Sequence, residues 1–248
     1  YVIVGAGAAG CLLANRLTED PAVSVCLLEA GKPDRNPYIH IPAGFIKVGH
    51  DPAYTWDFLT EPGPGIDGRQ VITRMGRTLG GSTSINGFNY TRGAASDYDN
   101  WADLGNAGWS YAEVLPYFKR TEKRLAPHDA HFRGSEGLLP ITNCDWRHPL
   151  CDAYIEAAAG FGLPSHIDYN AASQKGAGYY QRWIHNGRRV SAAKAFLKPA
   201  RMRAQARLEV RTHAQVTRIL FEGKRAVGVQ YQAAPDAPVE TVRAKREV

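Results

Sequence analysis

A glycine-rich turn between an apolar strand and an amphipathic helix constrains the fold of this chain more than any other feature of its sequence. Val2–Val4 is a β-branched run, and residues 11–17 have apolar side chains at helical spacing. Gly5, Gly7 and Gly10 lie between them with the spacing GxGxxG. In this context the first glycine permits a tight turn, the second lets the backbone approach a pyrophosphate, and the third lets the helix pack closely against the sheet. The sequence therefore predicts a βαβ unit that binds a dinucleotide at the helix N-terminus.

The residue that follows the second predicted strand narrows the choice of dinucleotide. Residues 23–28 form an apolar run that ends at Glu29, about 20 residues after Gly10. A carboxylate at this position accepts hydrogen bonds from ribose hydroxyls and disfavours a 2′-phosphate, so NADP is not the predicted ligand. This motif does not decide between NAD and FAD as the ligand. A glycine turn without any ligand is the less favoured alternative.

A second loop, residues 76–86, favours FAD over NAD. It contains adjacent glycines, Gly80 and Gly81, followed by three hydroxyl side chains. Such a backbone can run against a flat ligand and donate several N–H and O–H groups. A simple NAD dehydrogenase does not need this loop, whereas a flavin extends across the protein from the first site. FAD is therefore the predicted cofactor, and a purely structural Gly/Ser loop is the alternative.

The segment 76–99 resembles in full the first signature of the glucose–methanol–choline (GMC) flavoprotein oxidoreductases. Further segments similar to this family occur along essentially the whole chain: Glu29-Ala30-Gly31, Trp56, Asn100-Trp101, Gly187-Arg188-x-x-Ser191, Phe196-Leu197, Ile219-Leu220-Phe221 and Gly228-Val229. The similarity is strongest to the branch of bacterial choline dehydrogenases and aliphatic-alcohol dehydrogenases. Family chains are about twice as long as this one, so the sequence is identified as the N-terminal half of a member.

The resemblance implies which residues contact FAD. Those expected at the pyrophosphate, the adenosine and the flavin are Gly5, Gly7, Ala9, Gly10, Glu29, Trp56, Leu79, Gly81, Ser82, Asn86, Gly87, Phe88 and Val216. Among them, Glu29 would hold the adenosine ribose, and Val216 would contact the adenine through its backbone. In some relatives a histidine bonds covalently to the flavin, and this chain has Ile85 at that position. The resemblance therefore implies noncovalent FAD.

The resemblance also implies a reaction. The intact protein is expected to oxidise a primary alcohol to an aldehyde, with hydride transfer to flavin N5 and electron transfer to a quinone or another acceptor. In the family the catalytic histidine belongs to the C-terminal half, and none of the eight histidines of this chain occurs in the matching context. No catalytic residue is therefore predicted here. The expected partners are a small-molecule alcohol, the electron acceptor and the C-terminal half of the same protein.

Three alternative functions remain open. The protein could be a GMC oxidase that uses oxygen, or a light-driven fatty-acid decarboxylase of the same broad family. It could also be a flavin-binding fragment without catalysis of its own. An NAD-dependent dehydrogenase is disfavoured by the loop at residues 76–93.

The predicted fold class is α/β, with a Rossmann-like FAD-binding domain and a discontinuous α+β substrate domain, both incomplete in this chain. The FAD-binding domain is expected to comprise residues 1–96 and 201–248, the latter with a β-meander and the start of a further strand. Residues 97–200 would begin the substrate domain. Its predicted helices are residues 112–124, with Ser110 as N-cap, and residues 151–161. Residues 32–75 are expected to be irregular because prolines interrupt every candidate element.

Charge and cysteine content argue against other classes of function. The net charge is +6, and residues 188–248 contain 14 Lys/Arg against 5 Asp/Glu. These cations are scattered rather than clustered with aromatic residues, so they are expected to be solvated or to face an acidic part of the protein, and nucleic acid is not a predicted partner. The four cysteines lack CxxC spacing, so neither a metal site nor a disulfide framework is predicted. This favours a reduced protein in the cytoplasm, with peripheral attachment to the inner membrane as the alternative that quinone-linked relatives suggest.

Overall fold

The computed structural model describes residues 1–165 and 168–248, which form two compact units. Tyr1–Gly87 and Gly187–Val248 make up the first unit, and Phe88–Asn186 makes up the second. Both contain helices and strands, and the predicted α/β class is confirmed. The units divide near, but not at, the predicted domain limits of residues 96 and 200. Their assignment to cofactor and substrate stays a prediction.

The elements are numbered in chain order. The strands are β1 (Val2–Val4), β2 (Ser24–Leu28), β3 (Thr55–Leu59), β4 (Ile72–Gly76), β5 (Glu122–Arg124), β6 (Leu139–Ile141), β7 (Ile184–His185), β8 (Arg188–Arg189), β9 (Arg207–Arg211), β10 (Gln215–Glu222), β11 (Arg225–Gln232) and β12 (Glu240–Arg243). The α-helices are α1 (Ala8–Leu17), α2 (Pro37–His40), α3 (Phe45–Val48), α4 (Ala95–Asp103), α5 (Tyr111–Thr121), α6 (Pro149–Gly160) and α7 (Lys198–Met202). A π-helical turn, Ala193–Leu197, precedes α7, and 3-10 turns occur at Pro42–Gly44, Pro64–Ile66 and Gly81–Ser84.

A parallel sheet with the strand order β1–β2–β9 organises the first unit. Its register pairs Val2 with Cys26 and Ser24 with Arg207. Helix α1 connects β1 to β2, so the predicted βαβ arrangement is present. The first strand of the segment 201–248, β9, extends this parallel sheet and is not part of the meander that follows it.

The core of the first unit lies between the parallel sheet and the antiparallel meander β10–β11–β12. Val2 and Leu28 from the sheet pack in one buried cluster with Val229 and Tyr231 from the meander. Burying one aliphatic side chain of this size contributes about 1.5–3 kcal/mol, so this cluster is a main source of stability. The turn between β10 and β11 contains Gly223, whose φ of +60° favours glycine.

The residues predicted to begin a further strand, 247–248, do not form one. They lie beside the edge of β1, where the Glu247 carbonyl accepts a hydrogen bond of 3.0 Å from the N–H of Val2. One backbone hydrogen bond does not make a ladder.

The prediction that residues 32–75 are irregular is wrong in part. This segment contains α2, α3 and the hairpin β3–β4, whose register pairs Thr55 with Gly76 and Leu59 with Ile72. The prolines do not prevent these helices and strands, because each proline lies at the start of a helix or 3-10 turn or in a connecting segment. Pro37 is in the first turn of α2, where proline loses no intrahelical hydrogen bond.

The second unit contains the two predicted helices with shifted ends. Helix α5 begins after Ser110, whose N–H and hydroxyl both bond to the Glu113 carboxylate in a capping box. It ends at Thr121, so the prediction of helix through Arg124 is wrong. The chain leaves the helix there because Glu122 and Arg124 enter β5 with buried side chains.

A buried ion cluster of Arg92, Glu122, Arg133 and Asp168 lies inside the second unit. The Arg133 guanidinium donates from Nε and Nη2 to the two oxygens of Glu122 at 2.9 and 3.0 Å, and from Nη1 to Asp168 Oδ2 at 2.7 Å. Arg92 Nη2 lies 2.8 Å from Glu122 Oε1. The side chains of Glu122 and Arg133 are 0% exposed. Charges buried to this degree are tolerated only when each has a partner.

Two further findings concern only residues 1–165 and 168–248. No helix there combines the length and the apolar character needed to cross a membrane. No group of three or more His, Cys, Asp or Glu side chains is placed there to hold a metal ion. His166, one of the eight histidines considered above, lies outside the described residues.

Candidate cofactor-binding site

A cleft of about 600 Å³ opens in the first unit at the carboxyl ends of β1 and β2. The following residues that the sequence predicted to contact the cofactor line it: Gly5, Gly7, Glu29, Trp56, Gly81, Ser82 and Val216. Much of the remaining lining is apolar and includes Phe58 and Met75. Ligands of open α/β folds bind at this end of the parallel strands. The cleft is therefore the candidate cofactor site.

The glycine turn after β1 shapes one side of the cleft. Gly5 has a φ of +87°, a conformation that favours glycine. A Cβ on Gly10 would lie 2.0 Å from the carbonyl oxygen of Gly5, so any larger residue would force α1 away from the turn. Gly7 caps α1 without a side-chain hydrogen bond, and the first turn of the helix carries no acidic residue. The helix N-terminus is therefore free to bind an anion.

The second glycine loop packs directly on the first. The N–H of Gly80 donates to the carbonyl of Ala6 at 2.7 Å. A Cβ on Gly81, whose φ is +52°, would lie 2.8 Å from the Cα of Gly7. The Thr78 hydroxyl also donates to the carbonyl of Lys32 at 2.8 Å. These contacts make the two loops one wall, and close backbone approach explains why glycines occur in both.

Glu29 ties the first glycine turn to the end of β2. Its Oε2 accepts a hydrogen bond from the N–H of Ala6, and its Oε1 accepts one from the N–H of Gly31, both at 2.8 Å. Burial raises the pKa of the carboxyl, while these two backbone donors and the positive charge of Arg77 oppose the rise. Each carboxylate oxygen keeps a further lone pair. The group can therefore still accept hydrogen bonds from a ligand.

Trp56 and Ser82 form other parts of the wall. The guanidinium of Arg77 lies 4.5 Å from the centre of the Trp56 ring, within the range of a cation–π contact. Trp56 also stacks on Phe58, with ring centres 6.2 Å apart. The Ser82 hydroxyl accepts a hydrogen bond of 3.0 Å from the N–H of Gly76. These contacts hold an aromatic side chain and a hydroxyl at the cleft.

The remaining predicted contacts do not line this cleft. They are Ala9, Gly10, Leu79, Asn86, Gly87 and Phe88. Gly10 is buried behind the glycine turn, and Leu79 lines a different cleft. Phe88 begins the second unit, with a φ of +50°. The contacts of these six residues with FAD stay predictions.

Arg189 is a structurally important residue that the sequence analysis did not single out. Its side chain is buried in the first unit, where Nε donates to the carbonyl of Ile39 at 2.9 Å. Nη1 donates to the Thr83 carbonyl at 3.1 Å and to Asn86 Oδ1 at 3.0 Å, and Nη2 donates to the Asn86 carbonyl at 2.6 Å. Burial lowers the pKa of the guanidinium to about 10. The available signal was the arginine pair 188–189, which stands two residues before the largely apolar segment 192–197.

Comparison with known proteins identifies the family. The sequence matches the GMC oxidoreductase family over residues 1–248. The chain belongs to this family. The resemblance predicted from the signature at residues 76–99 is thereby confirmed.

Known GMC proteins resemble this chain over nearly its whole length. The oxygen-dependent choline dehydrogenase of Brucella anthropi is 45% identical over 248 residues, which are 100% of this GMC chain and 44% of that protein. Among solved structures, pyridoxine 4-oxidase from Mesorbium loti has a TM-score of 0.90 at 36% identity, covering 98% of this chain and 47% of that one. An FAD-dependent oxidoreductase from Chaetomium thermophilum has a TM-score of 0.88 at 31% identity, covering 98% and 44%. The chain therefore spans less than half the length of these relatives.

FAD is the cofactor of GMC oxidoreductases, as the second loop predicted, and the cleft of this GMC chain fits it. A Cβ on Gly7 would meet no atom within 4 Å, so the backbone there faces open space. The uncapped N-terminus of α1 suits a pyrophosphate. Glu29 lies at the end of β2, where a ribose is held in this fold, and Trp56 and Met75 supply apolar surface for rings.

Proposed function

We propose that the intact protein is an FAD-dependent alcohol dehydrogenase that oxidises a primary alcohol to an aldehyde. The observation that carries this proposal is the single wall formed by the two glycine loops, with the carbonyl of Ala6 bonded to Gly80 and with Glu29 at the end of β2. The similar proteins include one named for choline and one named for pyridoxine, and both compounds carry primary hydroxyl groups. These names support an alcohol as the substrate class.

The residues of this chain would bind and orient the cofactor. The N-terminus of α1 would compensate the charge of the pyrophosphate, and Glu29 would accept hydrogen bonds from the ribose. FAD, when bound, supplies the acceptor for the hydride of the alcohol carbon at N5. The histidine that takes the hydroxyl proton is proposed to belong to the rest of the protein. With Ile85 at the position of the linking histidine, we propose that FAD binds without a covalent bond.

The partners and the location are also part of this proposal. We infer a small-molecule alcohol, the remaining half of the protein, and a quinone or oxygen as electron acceptor. A location in the cytoplasm, with or without peripheral attachment to the inner membrane, stays a prediction.

The visible spectrum of the full-length protein tests the proposal. We expect a flavin spectrum that is bleached anaerobically by at least one alcohol from a panel that includes choline. Acid precipitation should release the colour into the supernatant, because the flavin is noncovalent. Restoring the spectrum with oxygen alone would identify an oxidase, and restoring it only with a quinone would identify a dehydrogenase. A choline analogue that lacks the hydroxyl group serves as the control and should not bleach the flavin.

Other results would contradict the proposal. A bound flavin that no alcohol bleaches would favour the flavin-binding fragment. Product formation that depends on blue light and a carboxylic acid would favour the decarboxylase. A colourless protein that cannot be reconstituted with FAD would overturn the proposed cofactor role of the cleft.

Glu29 gives the proposed FAD site a defined pH dependence. Burial raises the pKa of the Glu29 carboxyl in the folded protein above its value in the unfolded chain. Between these two pKa values the folded chain binds more protons than the unfolded chain. The contribution of this carboxyl to the free energy of unfolding therefore decreases as the pH rises. Ribose hydroxyls donate to the ionised form, so FAD binding should release a proton there. We expect the FAD dissociation constant to rise when the pH falls from neutral to about 5.

The variant Glu29→Gln tests whether this carboxyl causes the pH dependence of FAD binding. Its amide places an NH₂ group against one of the two backbone N–H donors, so we expect affinity for FAD to fall about tenfold or more at neutral pH. Titration of FAD against apoprotein, followed by flavin fluorescence, should show a pH-dependent affinity for the wild type and a flatter profile for the variant. Equal pH profiles in both proteins would contradict the proposed role of Glu29.

A further inference from the structure

A second cleft of about 560 Å³ lies in the first unit, apart from the candidate FAD cleft. Its wall is formed by the π-helical turn Ala193–Leu197 and by α7, together with Asp34, His40 and Leu79. Four of its lining side chains are permanently or normally cationic: Arg188, Lys194, Lys198 and Arg201. Asp34 is the one acidic residue among the described lining residues.

These four cations have no carboxylate partner among the described residues. Other arginines of the first unit do, since Arg16 lies 2.7 Å from Glu19 and Arg243 lies 3.1 Å from Glu222. The neighbouring positive charges affect the pKa of Lys194. Burial, followed by the nearby charges of Arg188 and Lys198, lowers the pKa of its ammonium group. Asp34 is the one carboxylate among the described lining residues, so the four cations exceed the negative charge that the described chain places in this cleft.

The backbone around Lys194 is tied to the core of the first unit. Phe196, in the π-helical turn, accepts a hydrogen bond of 2.7 Å from the buried amide of Asn15 in α1. Ala193, Phe196 and Leu197 are themselves buried. π-Helical turns occur mostly as short interruptions and are frequent at functional sites. Here the turn holds the backbone of Lys194 in the wall of the cleft.

We propose that this cleft binds a small soluble polyanion that carries phosphate groups, at a site separate from FAD. A phosphate group accepts several charge-assisted hydrogen bonds and would supply the missing counter-charge. The volume lies in the range of small-molecule sites. The described lining contains no Phe, Tyr or Trp on which nucleobases could stack, which argues against a nucleic acid. Lys194 is half-buried, so a ligand that contacts it must enter the cleft, which a flat charged surface cannot do.

The test uses the full-length, flavin-loaded protein and tripolyphosphate as the probe in isothermal titration calorimetry. The variant Lys194→Gln with Arg201→Gln removes two charges from the cleft. The control variant Lys224→Gln with Arg218→Gln makes the same chemical change at exposed positions of the β10–β11 hairpin. We expect the cleft variant to bind tripolyphosphate at least about tenfold more weakly than the wild type and the control. The flavin spectrum should be the same in all three proteins.

The proposal fails if the wild type does not bind tripolyphosphate, or if the control loses as much affinity as the cleft variant. Sedimentation with phosphatidylglycerol vesicles that depends on Lys194, without binding of tripolyphosphate, would also overturn it, because the ligand would then be a lipid surface. If Lys194→Gln lowers the yield of folded protein, Arg188→Gln with Lys198→Gln tests the same cleft through two exposed side chains.

Discussion

Replacing Glu122 with Gln is expected to lower the free energy of unfolding of the second unit by about 3–5 kcal/mol, because removing one partner of a buried ion pair leaves the other charge uncompensated. Arg92 and Arg133 both depend on this carboxylate, at distances of 2.8 and 2.9 Å. The glutamine is nearly isosteric, so the loss comes from charge and hydrogen bonding and not from a cavity. The N–H of Gly134, which donates to Glu122 Oε1 at 2.8 Å, is part of the same loss.

The pH dependence has a definite sign. Burial alone would raise the pKa of Glu122, but the hydrogen bond from Arg133 and the charge of Arg92 hold it below the ordinary value. A carboxyl with a depressed pKa in the folded state contributes stability above its unfolded pKa and loses it as the pH falls through the folded pKa. Acid should therefore destabilise the wild type more than the variant.

Urea unfolding at neutral pH measures the effect. Four of the five tryptophans, Trp101, Trp109, Trp146 and Trp183, lie in the second unit, so their fluorescence mainly follows that unit. The matched control is Glu156→Gln, at an exposed position of α6, with an expected change within about 0.5 kcal/mol. An unfolding midpoint for Glu122→Gln that equals the control would show that the ion cluster contributes no net stability.

Short-range patterns in the sequence predicted the elements around the FAD cleft. The β1–α1–β2 arrangement follows from apolar periodicity and three glycines within 30 residues, and the second loop was recognised from adjacent glycines and hydroxyl residues. These signals are local, because each requires only one turn or one strand to form. What they could not give is the contact between the loops. The bond from Gly80 to Ala6 joins residues more than 70 positions apart.

The buried charges were missed for the same physical reason. Arg133 and Asp168 are separated by 35 positions, and Arg189 and Asn86 by 103. A sequence shows that a residue carries charge, but whether the charge is buried depends on packing between distant segments. The predicted end of α5 was wrong for the same reason. The sequence of residues 122–124 continues the helical pattern, but in the structure these residues form β5, where the side chains of Glu122 and Arg124 are buried.

Replacing Arg189 with Lys is expected to weaken FAD binding about tenfold or more and to lower the free energy of unfolding of the first unit by about 3 kcal/mol, because buried acceptors lose charged donors. The planar guanidinium reaches Ile39, Thr83 and Asn86 at the same time. A lysine ammonium has its three donors on one atom and cannot span these acceptors. The segment Thr83–Asn86 would lose its fixed conformation, and with it the flavin contact proposed for Asn86.

The adjacent Arg188 is the matched control, since it is exposed and Arg188→Lys preserves its charge. Thermal unfolding of apoprotein and FAD-loaded protein, combined with FAD titration, separates two roles of Arg189. A residue that only stabilises the unit would lower both melting temperatures equally and leave the affinity for FAD unchanged. A residue that positions the cofactor loop would reduce the increase in melting temperature that FAD gives, because that increase depends on affinity. The three hydrogen bonds from Arg189 to Thr83 and Asn86 of the second glycine loop lead us to expect the second result, and unchanged FAD affinity in Arg189→Lys would refute it.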